Sequence, residues 1–133
     1  MQAISETRWA VISAIDALLG HIANGRHRET LASFTGDAAC ALFGSEEGER
    51  AVGPDALRAF FADLYARPYR VILSLPEQRI SALGNAAWFA GEGTYHLSTD
   101  DEAHPYRLTG VLERRGGLWL WQLFSGSEPA KPA

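Results

Sequence analysis

Residues 86–98, Ala-Ala-Trp-Phe-Ala-Gly-Glu-Gly-Thr-Tyr-His-Leu-Ser, decide how the chain is read. The stretch follows Gly84-Asn85, a short hairpin signal, and reads as a long strand in which alternate side chains face opposite sides of a sheet. Two more strands follow, Tyr106 to Arg115 and Leu118 to Ser125, separated by the acidic turn Thr99 to Ala103 and by Gly116-Gly117. Short glycine turns between consecutive strands predict an antiparallel meander. Upstream, Tyr69 to Leu75 is interrupted by Pro76 and resumes through Ile80 to Leu83, which predicts an edge strand with a bulge or bend at the proline.

The first half of the chain has a different period. Apolar residues recur at Ile4, Val11, Ile15, Leu18, Leu19 and Ile22, the spacing of a helix with one buried face. Ser5 or Thr7 can cap its start and Asn24-Gly25 can stop it, because both residue types at the stop tolerate the left-handed conformation. A shorter helix is expected from Arg28 to Ser33, a short strand over residues 39–43, and a turn from Gly44 to Glu49. Gly53-Pro54-Asp55 then opens a third helix that Pro68 ends. The fold class expected is α+β, with three N-terminal helices packed on a curved, mostly antiparallel sheet. The chain is read as one domain over 1–133, with its core at about 4–128 and a loose tail at 127–133.

Composition narrows the function classes. At 133 residues, 47% of them hydrophobic, the chain can build one core, and four Trp suggest a large aromatic core or a lined cavity. A formal charge of −4 gives no electrostatic footprint for nucleic acid. One cysteine, Cys40, excludes an intrachain disulfide, and no apolar run is long enough for a membrane span. The opening residues lack the pattern of a signal peptide, so a cytoplasmic location is expected. His21, His27, His96 and His104 show no zinc-site spacing, and no glycine-rich loop offers a phosphate cradle, so neither metal nor cofactor is expected.

Four short motifs carry a family resemblance. Phe34-Thr35-Gly36-Asp37-Ala38 is similar to an F-x-x-D-A lead-in to a first strand, and Glu49-Arg50-Ala51-Val52-Gly53-Pro54-Asp55-Ala56-Leu57 to a G-x-x-A-L/I lead-in to a third helix. Gly84-Asn85-Ala86-Ala87-Trp88 is similar to G-D-x-A-W, and Gly116-Gly117-Leu118-Trp119 to G-G-x-W. In this order, over roughly residues 4 to 128, they resemble the nuclear transport factor 2-like superfamily, in its SnoaL-like and ketosteroid-isomerase-like branch. The resemblance implies a cone with an internal pocket between helices and concave sheet, and it does not imply a reaction. It puts Leu18, Leu42 and Thr109 where a ketosteroid isomerase needs ionisable groups or a tyrosine, which argues against that activity.

The resemblance further implies that Trp88, Ala90, Glu92, Thr94 and His96 line the concave face. A carboxylate enclosed by Trp88, Trp121 and apolar helix residues would have its pKa raised by desolvation, so Glu92 is the candidate general acid or base. The alternative for Glu92 is a solvated position or a pair with Arg107 across the strands. Arg107 and Thr109 share one face of their strand, and Trp119, Trp121, Leu123, Ser125 and Ser127 share one face of the last. Trp88, Thr94, Arg107, Thr109, Trp121, Leu123, Ser125, Ser127 and Leu18 are the candidate ligand-binding residues. Asp37 is read as structural, accepting turn N–H bonds.

Two functions are therefore expected from different classes. One is binding of a small, largely apolar molecule in the cone, with isomerase, cyclase or hydratase type acid–base chemistry as its extension. The other is a non-catalytic association module. For the latter, the face bearing Phe89, Gly91, Gly93, Tyr95, Leu108, Gly110, Leu112, Leu120, Gln122 and Phe124 is taken as the outer one. Such an apolar surface predicts a homodimer under either function.

Overall fold

The computed structural model describes residues 4–132. Helix α1 (Ser5–Asn24) buries Val11, Ile15, Leu18, Leu19 and Ile22, the periodic face read from the sequence. Ile4, first in that series, precedes the helix and is exposed. Ile4 is also the N-cap and Ser5 is already helical, so the expected serine or threonine cap does not form. At the other end Gly25, at φ 63°, turns the chain left-handed and returns its N–H to the carbonyls of His21 and Ile22. Helix α2 (His27–Ala32) follows directly, and α3 (Pro54–Ala66) buries Leu57 and Phe61. Pro68 keeps Arg67 extended, at ψ 153°, which ends α3.

Six strands form one sheet in the order β2-β1-β6-β5-β4-β3. The strands are β1 (Ala41–Phe43), β2 (Arg50–Val52), β3 (Val71–Leu83), β4 (Ala86–Leu97), β5 (His104–Arg115) and β6 (Leu118–Ser127). All neighbours are antiparallel except β1 and β6, which pair in parallel from Ala41 opposite Leu123 to Phe43 opposite Ser125. The long meander β3 to β6 stands as read, and β3 is an edge strand whose register slips between Ser74 and Glu77, at Pro76. Strand β2 was not expected. Its three residues were absorbed into the approach to α3, and they become a strand because they pair with β1. The expected loose tail begins later than read: Ser127 belongs to β6 and Glu128 is hydrogen-bonded. Ala133 lies outside the described residues.

The helices cover one face of the sheet, α1 against β3 and β6 and α3 against β2. Trp121 anchors the aromatic core between them. Its ring meets Phe89 edge-on at 5.3 Å and Phe124 at 5.3 Å, with Phe34 at 6.4 Å. Around it, glycines on the same face make room: a Cβ at Gly110 would stand 2.6 Å from the Phe89 ring and 2.7 Å from that of Trp121. This arrangement needs glycine for space rather than for backbone freedom.

It also corrects which strand faces look inward. On β4 the buried residues are Ala87, Phe89 and Gly91, whereas Trp88, Ala90 and Glu92 are exposed. On β5, Tyr106, Leu108, Gly110 and Leu112 are buried, and Arg107 and Thr109 are exposed. The face expected to be outer is thus the core, and the face expected to line the pocket is the sheet's outer surface. Alternation is fixed by the strand, but its sign is set by packing. Three ionisable residues, Glu92, Arg107 and Glu113, share the Trp88 parity, and their charge outweighs the one indole. Strand β6 obeys neither face assignment throughout. A bulge there pairs Leu112 with Trp121 and Val111 with Leu123, leaving Gln122 unmatched. Trp121 and Phe124 consequently share the inner face, while Leu123 and Ser125 turn outward.

Candidate functional site

Where α3 leaves the sheet, a cavity of about 250 Å3 opens between the helix, the β1–β2 turn and the far ends of β3 to β6. Its apolar wall is built by Phe60, Phe61 and Leu64 from α3, together with Leu42 and Phe124 from the sheet. Val71, Leu73 and Leu97 extend this wall along the β3–β4 pair. Phe60 and Phe61 stand edge to face at 5.2 Å, and this pair, spaced by one helical step, gives α3 both a core residue and a cavity residue.

The polar groups gather at one rim. Ser45, Glu46 and Glu49 come from the β1–β2 turn, Tyr95 from β4, Tyr106 from β5, and Glu128 from just beyond β6. Glu128 is fixed at both oxygens. Tyr95 donates to Oε1 at 2.8 Å and Ser45 donates to Oε2 at 2.5 Å. These hydrogen bonds favour the carboxylate form and hold the Glu128 pKa below its ordinary value, helped by nearby His104 and opposed by partial burial. Glu49 Oε1 accepts the Glu46 backbone N–H at 2.9 Å, which ties the turn together.

The two tyrosines respond in the opposite sense. Tyr95, stacked on His104 at 5.1 Å, is pushed up to about 12 by desolvation, by its hydrogen bond to Glu128 and by the neighbouring carboxylates. Tyr106 is raised as well, by burial first and then by Glu49 and Glu128. Both are neutral hydroxyls at physiological pH. On the opposite side of the cavity, Arg67 is already engaged. It donates to Asp63 at 2.9 Å and to the Tyr69 hydroxyl at 3.2 Å.

The residues singled out from the sequence lie elsewhere. Glu92 sits on the outer face opposite Arg107, whose Nε is 3.4 Å from Glu92 Oε1, with both side chains about half exposed. This is the cross-strand pair weighed as its alternative, and an exposed pair of this kind leaves Glu92 without the desolvation expected of a general acid or base. Trp88, Thr94, Thr109, Leu123, Ser125 and Ser127 share that outer side, and Thr109 donates to the Ser125 carbonyl. Leu18 and Trp121 are fully buried in the core and do not border the cavity. Asp37 is structural as expected, although its side chain accepts from the Arg115 guanidinium rather than from turn N–H groups.

Sequence reasoning missed the rim entirely. Its residues come from a turn read as a mere connection and from a tail read as loose. The available signal was the acidic cluster Glu46, Glu47 and Glu49 beside a short strand, together with aromatic residues on the Phe89 parity of β4 and β5. Among the described residues no group of His, Cys, Asp or Glu is arranged to hold a metal ion, and no helix is long and apolar enough to cross a membrane.

The SnoaL-like domain family matches residues 11–130. The chain belongs to that family. No curated protein matches this SnoaL-like chain. Among solved structures, it is similar to an NTF2-like protein of unknown function from Pseudomonas putida KT2440. That match has a TM-score of 0.83 at 15% identity, covering 96% of this chain and 90% of the other. It is similar too to a protein of unknown function with a cystatin-like fold from Nostoc punctiforme PCC 73102, with a TM-score of 0.78 at 16% identity, over 97% and 96% of the two chains. A ketosteroid isomerase-like protein from Erwinia carotovora atroseptica gives a TM-score of 0.67 at 19% identity, over 96% and 100%. At these identities the likeness establishes the NTF2-like fold of this SnoaL-like domain and nothing about its chemistry.

Proposed function

We propose that this SnoaL-like domain binds a small, largely apolar molecule in the cavity beneath α3. The observation that carries the reading is the division of the cavity's lining, with aromatic and aliphatic walls from α3 and the sheet and polar groups confined to one rim. That is the composition of a ligand site, in which apolar walls supply affinity and a few polar groups set orientation. At about 250 Å3 the space suits a molecule of one or two rings.

The acid–base role foreseen for Glu92 passes to the rim. Glu128 is the carboxylate best placed there, but the two hydrogen bonds that lower its pKa also make it a weak base at neutral pH. The same features suit it to holding a ligand's donor groups, so binding is the better supported half of the proposal.

The test is titration with indole, followed by backbone amide shifts. Shifts centred on Leu42, Leu64, Tyr106 and Phe124, lost when Leu64→Trp fills the space, are the expected result. Shifts confined to the outer face around Trp88 would overturn the reading.

A second reading, association through the outer sheet face, keeps one specific support. Trp88 lies opposite Val111 and Val111 opposite Leu123, so an apolar row crosses three strands on the outer surface, with Trp88 41% exposed. We propose a homodimer through that row, in place of the residues first assigned to it.

A further inference from the structure

The rim of the cavity carries more negative charge than its own residues neutralise. Glu46, Glu49 and Glu128 all border it, and among the described residues none of the three has an Arg or Lys within 4.0 Å. The one cationic lining residue, Arg67, is occupied by Asp63 and Tyr69. Two of the carboxylates are held in place by hydrogen bonds rather than left to swing, Glu128 by Ser45 and Tyr95 and Glu49 by the Glu46 N–H. Fixed like charges at the mouth of an apolar cavity disfavour each other until something positive joins them.

A second observation comes from Tyr106. It is only 8% exposed and borders the cavity, yet among the described residues its hydroxyl makes no hydrogen bond. The hydroxyl is not sealed off, so it is free to hydrogen-bond to a molecule in the cavity. Gly126 makes room for it, since a Cβ there would stand 1.7 Å from the hydroxyl oxygen. The hydroxyl offers a free donor and acceptor to the same cavity that Glu49 and Glu128 border.

Resting on the cavity reading above, we infer that the molecule bound there carries a protonated amine, which sits among Glu46, Glu49, Glu128 and the Tyr106 hydroxyl while its apolar body lies on Phe61, Leu64 and Phe124. An ammonium has three donors and no acceptor, which matches a rim made of acceptors. A carboxylate or phosphate at this rim would meet the repulsion of three carboxylates, and an uncharged donor would replace their lost water less well than an ammonium.

The experiment compares tryptamine with tryptophol, which replaces the amine by a hydroxyl on the same ring and chain, and with indole, by calorimetry at low salt. Tryptamine is expected to bind about tenfold or more tighter than tryptophol, since charge-assisted hydrogen bonds are the stronger kind. The preference narrows in about 0.5 M salt through screening. The double variant Glu49→Gln, Glu128→Gln is expected to lose the preference, its tryptamine affinity falling about tenfold. Tyr106→Phe, which preserves the ring, is expected to weaken tryptamine more than tryptophol and stands in should the double variant not fold. Equal binding of tryptamine and tryptophol overturns the inference and leaves the cavity reading standing. Failure of all three compounds to bind overturns both.

Discussion

The Asp37 carboxylate receives both terminal nitrogens of the Arg115 guanidinium, one of them at 2.8 Å, while Glu113 takes the same guanidinium from the other side. That hydrogen-bonded pairing, more than the bare charge, holds the Asp37 pKa below 3.8. A carboxylate whose pKa is depressed on folding contributes stability that is fully present above the ordinary value and fades as pH falls through the depressed one. Asp37→Asn is therefore expected to lower stability at pH 7 and to flatten the decline below pH about 4. Urea unfolding at pH 7 and pH 3 measures it, and an unchanged difference between wild type and variant at the two pH values would refute the linkage. The Glu92 and Arg107 pair has a smaller part, since half-exposed pairs contribute about 0–1 kcal/mol.

At the scale of elements, the β3–β4 pair depends on a close approach. A methyl group at position 93 would stand 1.8 Å from the Ser74 carbonyl oxygen, where β3 slips register before Glu77. Gly93→Ala must push the bulge away and is expected to destabilise by roughly 1–3 kcal/mol, read as a lower urea midpoint with unchanged slope. The bulge was legible in the sequence because Pro76 cannot donate to a ladder. The β6 bulge was not, because nothing in Trp121-Gln122-Leu123 breaks the alternation and only the pairing with β5 reveals the extra residue. The helices were legible from periodicity, and the meander from its glycine turns. The inward parity of β4 was misread from Trp88 and Phe89, which offer an aromatic residue to each side, although Glu92, Arg107 and Glu113 on the Trp88 parity pointed outward, and Gly110 packed under Phe89 and Trp121 agrees with them. The site was least legible, being assembled from a turn and a strand end that acquire meaning only once β1 is laid beside β6.

For the whole molecule, the outer sheet face is mixed rather than uniformly apolar. The row of Trp88, Val111 and Leu123 is followed along the strands by Ala90, Thr109 and Ser125, and then by the ion pair of Glu92 and Arg107. Sedimentation at micromolar concentration is expected to give a dimer for the wild type and a monomer for Trp88→Glu, with tryptamine binding intact in both. A wild-type monomer would dismiss the outer face as an interface.

Pro76 carries a further consequence. The sheet ends on one side at β3, where that residue has no N–H to offer and Glu77 and Arg79 stand exposed, and on the other at β2, three residues long. The proline interrupts one margin and shortness limits the other, so both are poor templates for pairing with a stranger's backbone.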